Sequence, residues 1–339
     1  MSKKEYIKET IFKGSSGLAF GILVTLGIGL LLETIGKMTG LSDLVTIGTI
    51  TKTLMSPAIG AGIAFSLGGN SLIIFSSMAA ATIGASAIKI GENALTISGG
   101  EPIGALLSSA FCIYIGKKVL GKTNLDMMIV PLLSVLGGGL FGIYISKIIN
   151  PILNFFGGFI TSSVESNLLL SSIVIAVIWG ALIISPASSV ALAIALNLNG
   201  EASAAALVGC TAMFVGITVM SYKENDLGGV LALFICTPKL QLPNLTRNLK
   251  LIIPPLLGAI IASPIVVILF SLKADVSIAG MGLCAFVAPI NILANYGLST
   301  LLISYVFGCI IIPGVVSYIV YLFMIKNNLI NKGDLVLPK

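Results

Sequence analysis

The chain contains no histidine. That removes the commonest general base, the commonest metal ligand and the usual pH switch. It also removes any phosphohistidine relay carried within this chain. Charge is scarce as well: only 9% of the 339 residues are Asp, Glu, Lys or Arg, against 56% hydrophobic. A soluble domain carries about 25% charged residues. A surface this poor in charge cannot face water all round, so most of it must face lipid. The mean hydropathy of +1.09 agrees. Tryptophan occurs once, at Trp179, and Tyr222 and Tyr296 are the aromatics nearest polar breaks. This scarcity argues against a dedicated platform for stacking sugar rings, and both tyrosines also suit an interface anchor. The five cysteines, Cys112, Cys210, Cys236, Cys284 and Cys309, stand singly in apolar segments with no C-x-x-C spacing. They read as small packing residues, and neither a metal nor any other cofactor is expected.

What is present is a series of apolar runs. A helix needs about 20 apolar residues to span a bilayer. Segments 14–32, 71–88, 127–146, 168–184, 203–221, 251–271 and 300–325 meet or approach that length. Shorter or broken runs lie at 44–67, 102–116, 227–238 and 281–296. Broken segments at membrane depth are tolerated only where protein or a polar cavity covers them. The opening "MSKKEYIKETIFKG" mixes Lys with Glu5 and Glu9, so the first apolar run reads as a retained membrane helix, not a cleaved signal.

The net charge is +6, and the basic residues cluster at 3–13, Lys117/Lys118/Lys122, Lys239/Arg247/Lys250 and Lys326/Lys332/Lys339. Clustering in short loops is not a nucleic-acid signature. The positive-inside rule places all four in the cytoplasm, with about ten crossings and both termini inside. The expected fold is all-α and polytopic: about ten transmembrane helices, internal duplication and re-entrant half-helices. A cytoplasmic segment 1–13 precedes one membrane transport domain, 14–326, and a cytoplasmic tail, 327–339, follows it.

The duplication is visible in "SPAIGAGIAFSLGGN" (56–70) and "SPASSVALAIALNLN" (185–199), which share Ser-Pro-Ala, Ala64/Ala193, Leu67/Leu196 and Asn70/Asn199 at an offset of 129. Farther on, Gly104/Gly228, Leu107/Leu231, Cys112/Cys236 and the triplets Pro131-Leu132-Leu133 and Pro255-Leu256-Leu257 match at an offset of 124. The repeats would cover about 41–150 and 168–275, with extra C-terminal helices at 281–326. Duplicated halves are the usual build of secondary transporters. The equivalent loops 117–122 and 239–250 are both basic, which favours a parallel repeat. Ser followed by Pro suits a helix start, with Ser56 and Ser185 as caps and proline in the first turn. Each stretch then begins a short helix that breaks at Gly68-Gly69-Asn70 or Asn197-Leu198-Asn199. The alternative is a kink in a continuous helix. Half-helix N-termini inside a membrane point free N–H groups at whatever lies there.

Acids beside these breaks are the second signal, because charge at membrane depth is costly. Glu101 precedes Pro102 and an apolar run, and Glu224, Asn225 and Asp226 precede another. A carboxylate accepts sugar hydroxyls or binds a cation, whereas an exposed loop acid does neither, and Lys223 would neutralise Glu224 by pairing with it. Glu92, Lys89, Glu165 and Glu201 read as interface residues. The candidate solute-binding set is Glu101, Glu224, Asn225, Asn70, Asn199, Ser56 and Ser185.

The run "GCTAMFVGITVMSYKENDLGGVLALFICTPKLQLPNLTRNLKLIIPP" (209–255) resembles the phosphotransferase-system (PTS) EIIC type 2 family, which includes perfringolysin-regulator-like proteins. "SYKENDLGG", "QLPNLTRN" and "GKTNLDMMIVPLL" (121–133) carry the resemblance most specifically, and it extends from about 14 to about 300. "GGEPI" (99–103) is similar to the Gly-Ile-Thr-Glu-Pro motif of sugar IIC permeases, with Glu101 at the sugar-contacting position and Gly99-Gly100 replacing Ile-Thr. The resemblance implies a homodimeric permease of the bacterial plasma membrane, served by separate IIA and IIB proteins that carry the phosphate. The expected function is translocation of a small polar or anionic solute, sugar by family default, by alternating access and without enzymatic activity of its own. The partners are then the lipid bilayer and the solute. The alternative is a membrane-embedded sensor that regulates gene expression and transports nothing.

Overall fold

The computed structural model describes residues 3–90, 95–185 and 188–337. The chain divides into two compact units, Met1–Phe156 with Ile194–Leu196, and Gly157–Ala193 with Asn197–Lys339. Among the described residues, the architecture is all-α except for one short pair of antiparallel strands. Glu92 and Asn93 lie outside the described residues.

In the first unit, α1 (Lys3–Ile22) passes through a π turn at Leu23–Gly27 into α2 (Ile28–Thr39), which ends on Gly40 at φ +75°. α3 (Ser42–Thr53) and α4 (Met55–Ser66) follow, separated by Leu54. α5 (Ser71–Gly84) leads to strands β1 (Ile88–Ile90) and β2 (Leu95–Ile97), which pair antiparallel with Ile88 opposite Ile97. α6 (Pro102–Val119) and α7 (Asp126–Ser166) follow. The span expected to end at 146 instead belongs to the 41-residue α7, which continues through Pro131 and Pro151 past Lys147 and Glu165.

Lipid gives helices little hydrophobic reason to associate, so close packing of small residues does that work. A Cβ on Gly17 of α1 would lie 2.3 Å from the Gly62 carbonyl oxygen of α4. A Cβ on Gly104 of α6 would lie 2.3 Å from the Gly84 oxygen of α5. Ser108 of α6 places its hydroxyl 2.7 Å from the carbonyl oxygens of both Ala80 and Gly138, tying α5, α6 and α7 together.

In the second unit, α8 (Leu168–Ile184) is followed by α9 (Ser189–Ala195) and α10 (Gly200–Ser221). α11 (Leu227–Leu231) runs into a π turn, and short 3-10 turns flank α12 (Leu242–Arg247). α13 (Ile253–Pro264), α14 (Val276–Ala279), α15 (Val287–Tyr296), α16 (Thr300–Tyr305) and α17 (Ile312–Lys326) complete it. α10 is the axis, buried at nearly every position from Ala202 to Ser221. Its Ala- and Gly-rich sequence lets α8, α13 and α17 approach. A Cβ on Gly209 would lie 2.0 Å from the Ala176 oxygen of α8, and one on Gly216 would meet Pro255 and Ser317.

Among the described residues, five helical runs are long and apolar enough to cross a bilayer: Glu9–Thr39, Asp126–Ser166, Gly200–Ser221, Leu249–Leu269 and Thr300–Lys326. Shorter apolar helices occupy Met55–Ser66, Ser71–Gly84, Leu168–Ile184, Leu227–Cys236 and Cys284–Tyr296.

The two Ser-Pro stretches break alike. After α4, Gly68 adopts φ +73° and the Gly69 N–H donates to the Ala64 oxygen at 2.8 Å. After α9, Asn197 adopts φ +50° and the Leu198 N–H donates to the Ala193 oxygen at 3.1 Å. These three pairs of positions correspond at the offset of 129. Asn70 and Asn199 then directly precede α5 and α10.

Candidate functional site

In the first unit, Ser56 and Glu101 come together. Ser56 does not cap α4, contrary to expectation, because the helix starts at Met55 and Leu54 holds the cap position. Its hydroxyl, fully buried, donates instead to the Gly99 carbonyl oxygen. Gly100 sits at φ +77°, where a Cβ would lie 2.6 Å from the Ser56 hydroxyl oxygen. Only glycine meets both the left-handed backbone and that lack of space. The Glu101 N–H donates to the Ala85 oxygen at 2.9 Å. Glu101 then caps α6: Oε1 accepts from the Ile103 N–H and Oε2 from the Gly104 N–H, both at 2.6 Å. Pro102 takes the first helical position, where a missing N–H costs nothing. A carboxylate has about four acceptor sites, so two remain for a hydroxyl, a cation or water.

Three charges near this loop were not singled out in the sequence. Glu33 of α2 pairs with Lys37 at 2.7 Å and with Lys52 of α3. Backbone and side-chain atoms of Lys52 and Met55 close around Gly99: a Cβ there would lie 3.2 Å from the Lys52 oxygen and 3.3 Å from the Met55 methyl. The signal was an acid directly after the first apolar run with a lysine four residues on.

Asn70 is not part of this cluster. It lies beyond the other end of α4, whose twelve residues span roughly 18 Å. Its Oδ1 caps α5 by accepting from the Ile73 N–H at 3.1 Å. The Lys117 ammonium donates to the Leu67 oxygen, satisfying a carbonyl left open where α4 stops.

In the second unit, Ser185 does not cap α9. It closes α8, its hydroxyl donating to the Leu182 oxygen at 2.9 Å. Pro186 and Ala187 lie outside the described residues. The hydroxyl of Ser188, three residues on, accepts from the Ala191 N–H at 3.1 Å and starts α9. Asn199 precedes α10, but its side chain turns back to Asn197. Residues 273–275 order this end of α10: Lys273 pairs with Glu201 at 2.9 Å, and Ser203 donates to the Asp275 oxygen at 2.8 Å.

Glu224 and Asn225 are adjacent in space as in sequence, about 33 Å of helix away from Asn199 along α10. Glu224 accepts from the Tyr321 hydroxyl at 3.0 Å and from the Leu335 N–H at 2.9 Å. Asn225 donates to the Leu335 oxygen at 2.9 Å and accepts from the Leu337 N–H at 2.8 Å. Lys223 turns to the Tyr222 ring, 5.5 Å from its centre, in place of the expected pairing with Glu224. Asp226 caps α11 through the Gly229 N–H at 2.7 Å. Elsewhere in the unit, burial draws the Lys239 ammonium down to about 8.

The unit also carries an open groove of about 530 Å³, lined by Val215, Phe234, Gly314 and Val315 with Tyr222 and Tyr318. Its lining is almost wholly apolar, so it does not suit a polar solute. The two tyrosine rings, 6.3 Å apart, are the nearest approach to an aromatic pair beside a polar break.

Apolar runs of membrane-spanning length, helices interrupted at Gly and Asn, and acids at helix starts define a multi-pass α-helical membrane protein. The chain matches the family described as "Phosphotransferase system, EIIC" over residues 12–337, and it belongs to that family. Membership points to a bacterial membrane permease of the phosphotransferase-system type, the transporter component of such a system. Among curated proteins, none matches the chain.

Proposed function

We propose that this protein translocates a small polar or anionic solute, with sugar as the family default, by alternating access. The observation that carries this reading is the junction of Ser56, Gly99, Gly100 and Glu101. A buried hydroxyl fixes the Gly99-Gly100 turn, with Gly100 at positive φ, and the turn presents a carboxylate with unused acceptor sites at the start of a helix. Such preorganised acceptors suit the hydroxyls of a polyol, because they are already oriented before the solute arrives. Glu101 is the solute contact, and Ser56 and the two glycines position it. The protein is a homodimer in the bacterial plasma membrane, with both termini cytoplasmic, and separate IIA and IIB proteins bring the phosphate to the entering solute. The matching backbone breaks at Gly68 and Asn197 support an internal duplication, read here in parallel orientation.

The test is uptake into proteoliposomes containing the purified protein. Labelled hexoses, hexitols, sugar acids and small inorganic anions are screened first by thermal shift. Saturable uptake of one class, abolished by Glu101→Gln, is the expected result. Uptake equal to protein-free vesicles for every class that shifts the melting temperature would overturn transport and leave a sensor.

A further inference from the structure

The two sequence motifs "SYKENDLGG" and "QLPNLTRN" converge on one object, the chain's own C-terminal segment. Glu224 and Asn225 engage both sides of the Leu335 peptide and the Leu337 N–H. Gln241, fully buried, donates to the Leu335 oxygen at 2.6 Å, and its own oxygen accepts from Asn244 at 2.7 Å. Asn244 also donates to the Val336 oxygen at 2.7 Å. Asn248 donates to the Asp334 carboxylate at 3.0 Å. Thus five polar side chains from two separate loops bind one short stretch of peptide, mostly through its main chain.

The segment is shaped for this. The Asp334 carboxylate accepts from the Asn331 N–H at 3.0 Å, and Gly333 sits at φ +96° to close the turn. Leu335 is completely buried, and Leu337 lies over Gly229, where a Cβ would come within 2.9 Å of it. Side chains that read main-chain groups, with one or two pockets for leucine, are how proteins recognise extended peptides.

We propose that this clasp is a peptide-binding site, that its resident ligand is the chain's own segment around Asp334–Leu337, and that the segment exchanges with a peptide of the same Asp-Leu-x-Leu chemistry. Gln241 and Asn244 are buried amides, so an empty clasp leaves them short of partners. The site therefore favours occupancy, by its own tail or by an equivalent peptide. Glu224 and Asn225 are consequently committed to the tail while it is seated.

The test uses the full chain, folded first, with a protease recognition sequence inserted between Asn328 and Leu329. After cleavage, a fluorescent peptide of residues 329–339 is added and its anisotropy followed, alongside the same peptide carrying Leu335→Asp. Expected are saturable uptake of the native peptide with release of the cut segment, at least tenfold weaker uptake of the Leu335→Asp peptide, and weaker uptake by uncut protein, whose tethered tail competes. A cut segment that stays bound while the labelled peptide is excluded would overturn exchange. Uptake indifferent to Leu335, or equal in uncut protein, would overturn the clasp as the binding site. A chain with the insertion that fails to fold is replaced by an uncut, otherwise cysteine-free chain carrying Val336→Cys alone and fluorescently labelled there. There, release of the label by excess unlabelled peptide is expected, and an unchanged label refutes the proposal.

Discussion

Glu101 holds two positions at once in the proposed mechanism, as a helix cap and as a solute contact, and two substitutions separate them. Glu101→Gln keeps one acceptor oxygen but turns an NH2 group toward the second backbone N–H. One of the two 2.6 Å bonds is then lost. Bonds to a charged acceptor contribute about 1.5–3 kcal/mol, and a lost cap costs about 1 kcal/mol. The folded state should therefore lose about 1–2 kcal/mol, and solute binding should weaken as well. Glu101→Asp behaves differently. Aspartate is among the best N-caps, so the helix start is retained. The carboxylate is withdrawn by about 1.5 Å, one C–C bond, which removes a direct contact with solute. Loss of one charge-assisted bond corresponds to about a tenfold to hundredfold weaker affinity. The assays are thermal unfolding in detergent and equilibrium binding of the solute identified by the screen. Near-native melting with weakened binding in Glu101→Asp is expected. If Glu101→Asp binds like wild type, Glu101 is a structural cap and the placement of the site is wrong.

Asn70→Leu and Asn199→Leu should differ, because Asn70 caps α5 through its side chain and Asn199 makes no such bond. Asn70→Leu is expected to cost about 1 kcal/mol and Asn199→Leu clearly less, read from thermal unfolding of the two purified variants. Equal losses would refute the distinction. For topology, single cysteines at Gly121 and Lys250, each introduced alone in a cysteine-free background, should both be labelled only from the cytoplasmic side. Labelling of one from outside would exclude the parallel repeat. Burial holds the folded-state pKa of Lys239 near 8, below its unfolded value, so the unfolded chain binds more protons between the two. Stability should accordingly rise as pH increases from about 8 toward 10, and Lys239→Met should flatten that rise in melting scans. An unchanged slope in the variant would remove Lys239 as its source.

Local signals in the sequence proved good guides to local structure. Gly68 and Asn197 end their helices in the left-handed region, as glycine and asparagine can. Glu101 and Pro102 start α6 in the order that cap and first-turn preferences dictate. Partners far along the chain were not legible. The Ser56 hydroxyl meets a carbonyl 43 residues away, and Glu224 meets a backbone N–H 111 residues away. Nothing in the spacing near either residue encodes such a partner. Ser56 therefore read as a cap and Glu224 as an unassigned acid available to a solute. α7 misled for another reason. The apolar run 127–146 reads as a complete span, but the helix continues through Pro151 to Ser166.

The correspondence between the two Ser-Pro stretches is strongest where sequence identity has been lost. Gly68 and Asn197 are different residues, yet both place the backbone at positive φ, and the bond across the break joins equivalent positions in each. Two unrelated interruptions would have little reason to share the residue that turns, the bond that closes the turn and the residue that precedes the next helix. The ends of the stretches have diverged instead. Ser56 reaches out to hold the Gly99-Gly100 loop, whereas Ser185 closes the helix before it. Glu101 keeps its carboxylate at a helix start, whereas Glu224 gives its own to the tail. A duplicated frame whose copies keep the break but differ in what its flanking polar groups bind can assign different tasks to each copy. Under the proposed duplication and transport role, solute contact falls in the first stretch, and the acid of the second serves the C-terminal segment.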